Sequence, residues 1–174
     1  MADTPDRIVL KRHRDLEGRS HRIWWRHGIV ALLAAFLVLG LLNVFGQAQT
    51  TVNAGTAAAS LELAAPSSVR GGLLYTVRFT ITAKRDVKNA VLELSPGWAE
   101  GQQINTIEPS PLGQASRNGD MVFTLGHIPA GQKYILYMGF QTNPTNVGFH
   151  SADVTLYDGA TRIAYLDRKL TVYP

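Results

Sequence analysis

The stretch Gly28–Phe45, GIVALLAAFLVLGLLNVF, runs for 18 residues without a charge and with one polar side chain, Asn43. A helix rises about 1.5 Å per residue, so about 20 residues cross a hydrocarbon core of about 30 Å. Gly46 and Gln47 complete that length and define a predicted span over residues 28–47. Trp24, Trp25 and Arg26 fall at the headgroup level, where an indole ring sits in apolar surroundings while its N–H faces water. A soluble core helix would show a polar stripe every three to four residues, and none is present here. Asn43 is either a hydrogen-bonding contact to another span or a polar residue at the outer headgroups, and the second reading is favoured.

The flanks set the expected orientation. Residues 1–27 hold seven Arg and Lys against four acids, and the first charge after the block is Glu62. Positive-inside bias then places the tail in the cytoplasm and the C-terminal part outside the cell membrane. Signal peptides have shorter apolar cores, of about 7–15 residues, ending in a small-x-small site. Gly46-Gln47-Ala48 offers such a site, but the length and the long basic lead-in favour an uncleaved signal-anchor. From Gly28 onward there are ten basic residues against nine acidic ones, so the net charge of +4 belongs mainly to the tail. That placement fits an anionic leaflet better than nucleic acid, which is not expected as a partner.

Residues 48–60 lie in QAQTTVNAGTAAAS, which has no charge and no strong apolar period. They read as a linker, and the 14-residue stretch extends to at most about 46 Å. Residues 61–174 change character. In LLYTVRFTITA, Leu73, Tyr75, Val77, Phe79, Ile81 and Ala83 share one face and polar residues the other, a period of two that predicts a half-buried strand. Further strands are predicted at Leu61–Ala65, Val87–Leu94, Ile104–Ile107, Met121–Leu125, Tyr134–Gln141, Ala152–Tyr157, Arg162–Leu166 and Leu170–Tyr173. YILYMGF is apolar on both faces, as a strand covered on each side would be. Asn118-Gly119 and Asp158-Gly159 predict hairpin turns. A parity flip between Tyr165 and Leu170 predicts a bulge or a break. The expected fold is all-β: one immunoglobulin-like antiparallel β-sandwich of 7–9 strands, preceded by one N-terminal transmembrane α-helix.

Three stretches, SVRGGLLYTVRFTITAK, AVLELSPGW and FTLGHIPAGQKYILYMGFQT, resemble bacterial extracytoplasmic immunoglobulin-like domains, in particular the cell-adhesion-related domain found in bacteria. The shared features are the Gly71-Gly72 turn, Pro96-Gly97-Trp98, and the Leu125–Gly131 turn. TAKRDVKN replaces the Asn-x-Gly usual in that family, and one copy stands where such modules often occur in tandem. The resemblance covers about residues 60–174 and implies architecture more than activity.

No cysteine is present, which excludes disulfides and thiolate chemistry. No Gly-x-Ser-x-Gly elbow, phosphate loop or metal-ligand spacing occurs, so neither catalysis nor a cofactor is expected. His127 reads as a turn residue. The expected role is a non-catalytic protein-interaction or scaffolding subunit of an envelope complex, with the lipid bilayer and another membrane or envelope protein as partners. The alternative is a membrane-tethered module binding carbohydrate or wall polysaccharide through Trp98 and nearby tyrosines. Trp98, Asn143 and Asn146 are the candidate partner contacts. Trp98 is read as a cap on the core in preference to an exposed contact.

Overall fold

The computed structural model describes residues 20–42, 44 and 47–174 and falls into two units, residues 1–44 and 45–174. The first contains one helix, α1 (Ser20–Leu41). Its stretch Trp24–Leu41 is long and apolar enough to cross a membrane, and none of it is buried against protein. The helix begins eight residues before the predicted span and takes in the two tryptophans. It also stops short of Gln47: Val44 N–H donates to Leu39 C=O at 3.1 Å, a six-to-one closure that turns the chain out of the helix.

The second unit is an all-β sandwich of the immunoglobulin-like kind. Its strands are β1 (Gln49–Gly55), β2 (Ala59–Pro66), β3 (Ser68–Arg70), β4 (Leu74–Ala83), β5 (Val87–Leu94), β6 (Gln102–Glu108), β7 (Gly113–Arg117), β8 (Asp120–Ile128), β9 (Lys133–Thr142), β10 (Gly148–Ser151), β11 (Val154–Asp158), β12 (Thr161–Leu166) and β13 (Lys169–Tyr173). Two five-stranded sheets, β1-β2-β4-β9-β6 and β12-β11-β5-β8-β7, enclose one core, and a small third sheet runs β10-β13-β3. The described strands therefore exceed the predicted seven to nine.

The alternation in β4 does what a period of two requires: Tyr75, Val77, Phe79, Ile81 and Ala83 are buried. Leu73 is not among them, because it lies in the turn before the strand and is exposed. Leu61 and Leu63 of β2 and Leu136, Met138 and Phe140 of β9 line the same side. Leu92 and Leu94 of β5, Phe123 and Leu125 of β8 and Leu156 of β11 face them from the second sheet.

Three differences from expectation have physical causes. The expected linker folds: β1 pairs with β2 from Gln49↔Pro66 to Gly55↔Ser60, and its Val52 and Ala54 pack on the core. An edge strand draws its stability from the backbone ladder, which needs no apolar side chains. β9 is interior to its sheet but covered on one side, leaving Ile135 and Tyr137 exposed. β3 pairs with β13 in parallel, so the sandwich is not wholly antiparallel; the chain leaves the first sheet at Pro66 and meets the last strand before returning into β4.

The β11–β12 hairpin turns one residue later than predicted, with Asp158 opposite Thr161 and Gly159 at φ +60°. Asn118 and Gly119, both at positive φ, form the predicted β7–β8 turn. The parity flip marks a break: β12 ends at Leu166 in one sheet and β13 begins at Lys169 in another. The Leu125–Gly131 motif splits into two devices. Gly126, at φ +87°, sits at a register shift opposite Ala90, and a separate turn follows, closed by Gln132 N–H to Pro129 C=O at 3.0 Å.

Candidate interaction surface

β5 ends at Leu94, and Pro96–Trp98 forms a single 3-10 turn in which Trp98 N–H donates to Ser95 C=O at 3.0 Å. Gly97 is required there: a Cβ would lie 1.9 Å from Ser151 O. This close approach turns Trp98 inward. Its ring is fully buried, with centroids 6.1 Å from Phe79 and 5.2 Å from Phe140, and Tyr75 stacks on Phe140 at 5.5 Å. Nε1–H donates to Asp153 C=O at 3.2 Å. Trp98 is therefore the core cap and cannot be a partner contact in this fold.

A polar cluster surrounds this cap. The β12–β13 break carries Arg168 inward, 7% exposed. Its Nη2 donates to Ala65 C=O at 3.0 Å and to Pro66 C=O, and its guanidinium carbon lies 6.0 Å from the Trp98 ring centroid. The charge is held by carbonyl dipoles and an aromatic face. Tyr75 O–H donates to Gln102 Oε1, and Gln102 Nε2 donates to Gly97 C=O at 3.0 Å. Burial pushes the Tyr75 phenol well above its ordinary range, with Arg168 pulling the other way. Burial likewise lowers Arg168, partly offset by Tyr75. Asp153 ties the connection together: Oδ1 accepts from Arg168 N–H at 3.0 Å and Oδ2 from the Ser151 hydroxyl at 2.9 Å.

Two of the shallow surface clefts border this cluster. One, of about 630 Å³, is lined by Phe149, Ser151, Asp153, Arg168 and Lys169 among others. The other, of about 400 Å³, lies between Gly101–Gln103 and Gln141–Pro144. Asn143 is exposed beside the second cleft, and its Oδ1 accepts from the Thr145 N–H and hydroxyl at 3.1 and 3.0 Å. Asn146 Nδ2 donates to Glu100 C=O at 2.9 Å. Both side chains thus shape the 143–147 loop.

The outer face of β1-β2-β4-β9-β6 is uncovered. Ile135 and Tyr137 stand on it opposite Thr80 and Arg78 of β4, and Arg78 meets Glu62 of β2 at 3.5 Å. His127, exposed at the end of β8, contacts Asp86 Oδ1 at 2.7 Å. On α1, Trp24 and Trp25 are 81% and 75% exposed, and Arg26 is exposed beside them. Asn43 lies outside the described residues. Sequence reasoning missed Arg168 and the Tyr75–Gln102 pair, although the parity flip had marked the segment that delivers Arg168.

No family model and no curated protein matches the chain. Among solved structures it is similar to the cohesin domain CaCohA2 from Clostridium acetobutylicum, with 18% identity over 61% of this chain and 85% of that one and a TM-score of 0.44. The cupredoxin domain of amoB from Nitrosocaldus yellowstonii gives 16% identity over 58% of this chain and 56% of that one, with a TM-score of 0.35. A GH20 exo-β-N-acetylglucosaminidase from Vibrio harveyi gives 11% identity over 61% of this chain and 17% of that one, with a TM-score of 0.34. This chain thus spans about half of the second and less than a fifth of the third. All three scores lie below 0.5, and they assign neither family nor activity.

Proposed function

We propose that this chain is a single-pass, N-inside protein of a bacterial cell membrane whose outward-facing sandwich is a non-catalytic interaction or scaffolding subunit of an envelope complex. The observation that carries the interaction role is the uncovered sheet face, where Ile135 and Tyr137 stand exposed on an interior strand. A flat face bearing an aromatic residue among threonines suits a protein partner, since tyrosine buries large area at low entropic cost. The membrane role is supported by a helix long and apolar enough to cross a bilayer, with exposed Trp24 and Trp25 at its start. The resemblance to cell-adhesion-related bacterial domains belongs to this reading. The wall-polysaccharide alternative loses Trp98, which is buried.

The test is co-purification of the full chain from detergent extract, with and without Tyr137→Glu, beside retention on purified wall polysaccharide. A protein that co-purifies with the parent chain and is lost with Tyr137→Glu supports the reading. Retention on polysaccharide with no co-purifying protein overturns it.

A further inference from the structure

The sandwich has two ends, and they differ in chemistry. The chain enters at Gln49, which pairs with Pro66 and whose Nε2 donates to Thr76 C=O at 3.2 Å. The same end holds the Gly71–Leu73 turn, where Gly72 N–H donates to Thr142 C=O at 3.0 Å and Thr142 N–H to Leu73 C=O at 3.2 Å. It also holds the 143–147 loop, packed on Gly71 through Pro144, and Tyr173, whose C=O accepts from Gly71 N–H at 2.8 Å. Leu73, Leu74, Val147, Phe149 and Tyr173 are all exposed there, Phe149 at 81%. The segments RGGLLYT, TNPTNVGFH and TVYP that carry them contain a single formal charge, Arg70, while Glu100 beside the 143–147 loop and Asp167 and Lys169 beside Phe149 add exposed charges at the same end. The connections at the opposite end, 84–86, 129–132 and 159–160, read KRD, PAGQ and GA.

We propose that this apolar entry end docks on the lipid bilayer itself, with Phe149, Leu74 and Val147 inserted at headgroup depth; this rests on α1 being a membrane anchor. The covalent tether argues for that occupant. Only seven residues, 42–48, separate α1 from β1, a reach of at most about 23 Å. A ten-residue strand such as β4 is longer, about 33 Å, so the entry end is the one the tether holds within reach of the surface. The charged groups at this end, among them Glu100, Asp167 and Lys169, keep water and ionic partners at headgroup depth, while Phe149, Leu74 and Val147 supply the apolar contact. Tethering also makes the encounter intramolecular, so a few apolar side chains suffice for lasting contact.

The chain has no native cysteine, so single cysteines can carry an environment-sensitive fluorophore in the full chain, reconstituted in phosphatidylcholine–phosphatidylglycerol nanodiscs. Labels go at Thr145→Cys (entry end), Ala160→Cys (opposite end) and Leu33→Cys (α1). The expected result at 145 is a blue-shifted emission, quenched by headgroup-depth nitroxide lipid and shielded from aqueous iodide, with the reverse at 160. Adding Leu74→Ser and Phe149→Ser to the 145 chain is expected to abolish the lipid quenching. A 145 label that is aqueous from the outset, or still lipid-quenched after both serines, overturns the docking. The Leu33 label separates the two readings. Lipid-quenched at 33 with aqueous at 145 removes docking and keeps the anchor, whereas aqueous at 33 removes both.

Discussion

Replacing Trp98 distinguishes a core cap from a surface contact by energy alone. Truncating a fully buried tryptophan to alanine costs about 3–5 kcal/mol through lost transfer energy and the cavity left behind. Trp98→Ala belongs at the upper part of that range. It removes ring contacts to both Phe79 and Phe140, worth about 0.5–1.5 kcal/mol each beyond area, and strips the aromatic face from Arg168. The hydrogen bond contributes less: Asp153 C=O loses Nε1–H but keeps Ser95 N–H at 3.1 Å. Trp98→Phe, which keeps an aromatic ring, should therefore cost only about 1–2 kcal/mol. For a domain of this size about 1 kcal/mol corresponds to roughly 4 °C in Tm. Near-UV circular dichroism melts of the full chain in detergent should show losses of roughly 12–20 °C for alanine and about 4–8 °C for phenylalanine. An alanine variant within about 2 °C of the parent would refute the packing argument, since an exposed side chain behaves that way.

Gly97→Ala drives a Cβ to 1.9 Å from Ser151 O, a backbone atom that cannot swing aside; we expect a loss of at least about 3 kcal/mol in the same melts, and a shift under about 1 kcal/mol would contradict the close approach. Replacing Gln49–Gly55 by Gly and Ser of equal length should speed amide exchange across β2, whereas a mere linker would leave β2 protection unchanged. Tyr75 has a folded pKa raised above its unfolded value near 10, so the stability it lends is fully present below about pH 10 and is lost as pH climbs toward the folded value. Tyr75→Phe should lower Tm slightly at neutral pH, through the lost bond to Gln102, yet flatten its fall above pH 10; a fall as steep as the parent's would refute that linkage.

What could be read from the chain divides along one physical line. β4 and β5 announced themselves because their stability comes from burying alternate side chains, and that alternation is written in sequence. β1, β7 and β10 did not, because QTTVNAG, GQASR and GFHS, at sheet edges, carry little apolar alternation. Their pairing is carried by backbone groups that every residue type possesses. The Asn118-Gly119 turn was legible for a related reason: positive φ at both positions narrows the residue choice to a few types.

The candidate site was less legible, because its geometry is non-local. Nothing near Trp98 in sequence decides whether the ring points in or out. The decision comes from Ser151, whose carbonyl crowds Gly97, and from Asp153, whose carbonyl receives the indole N–H. Arg168 shows the same dependence at greater range, reaching the carbonyls of Ala65 and Pro66 a hundred residues earlier. Those carbonyls belong to the end of β2, where the chain leaves the first sheet for β3 and would otherwise have backbone acceptors facing the core. A neutral apolar residue at 168 would take this donor from both carbonyls, which offsets part of the desolvation cost of the buried guanidinium. The charge that looks most like a functional group in this domain is thereby tied through Nη2 to the end of β2.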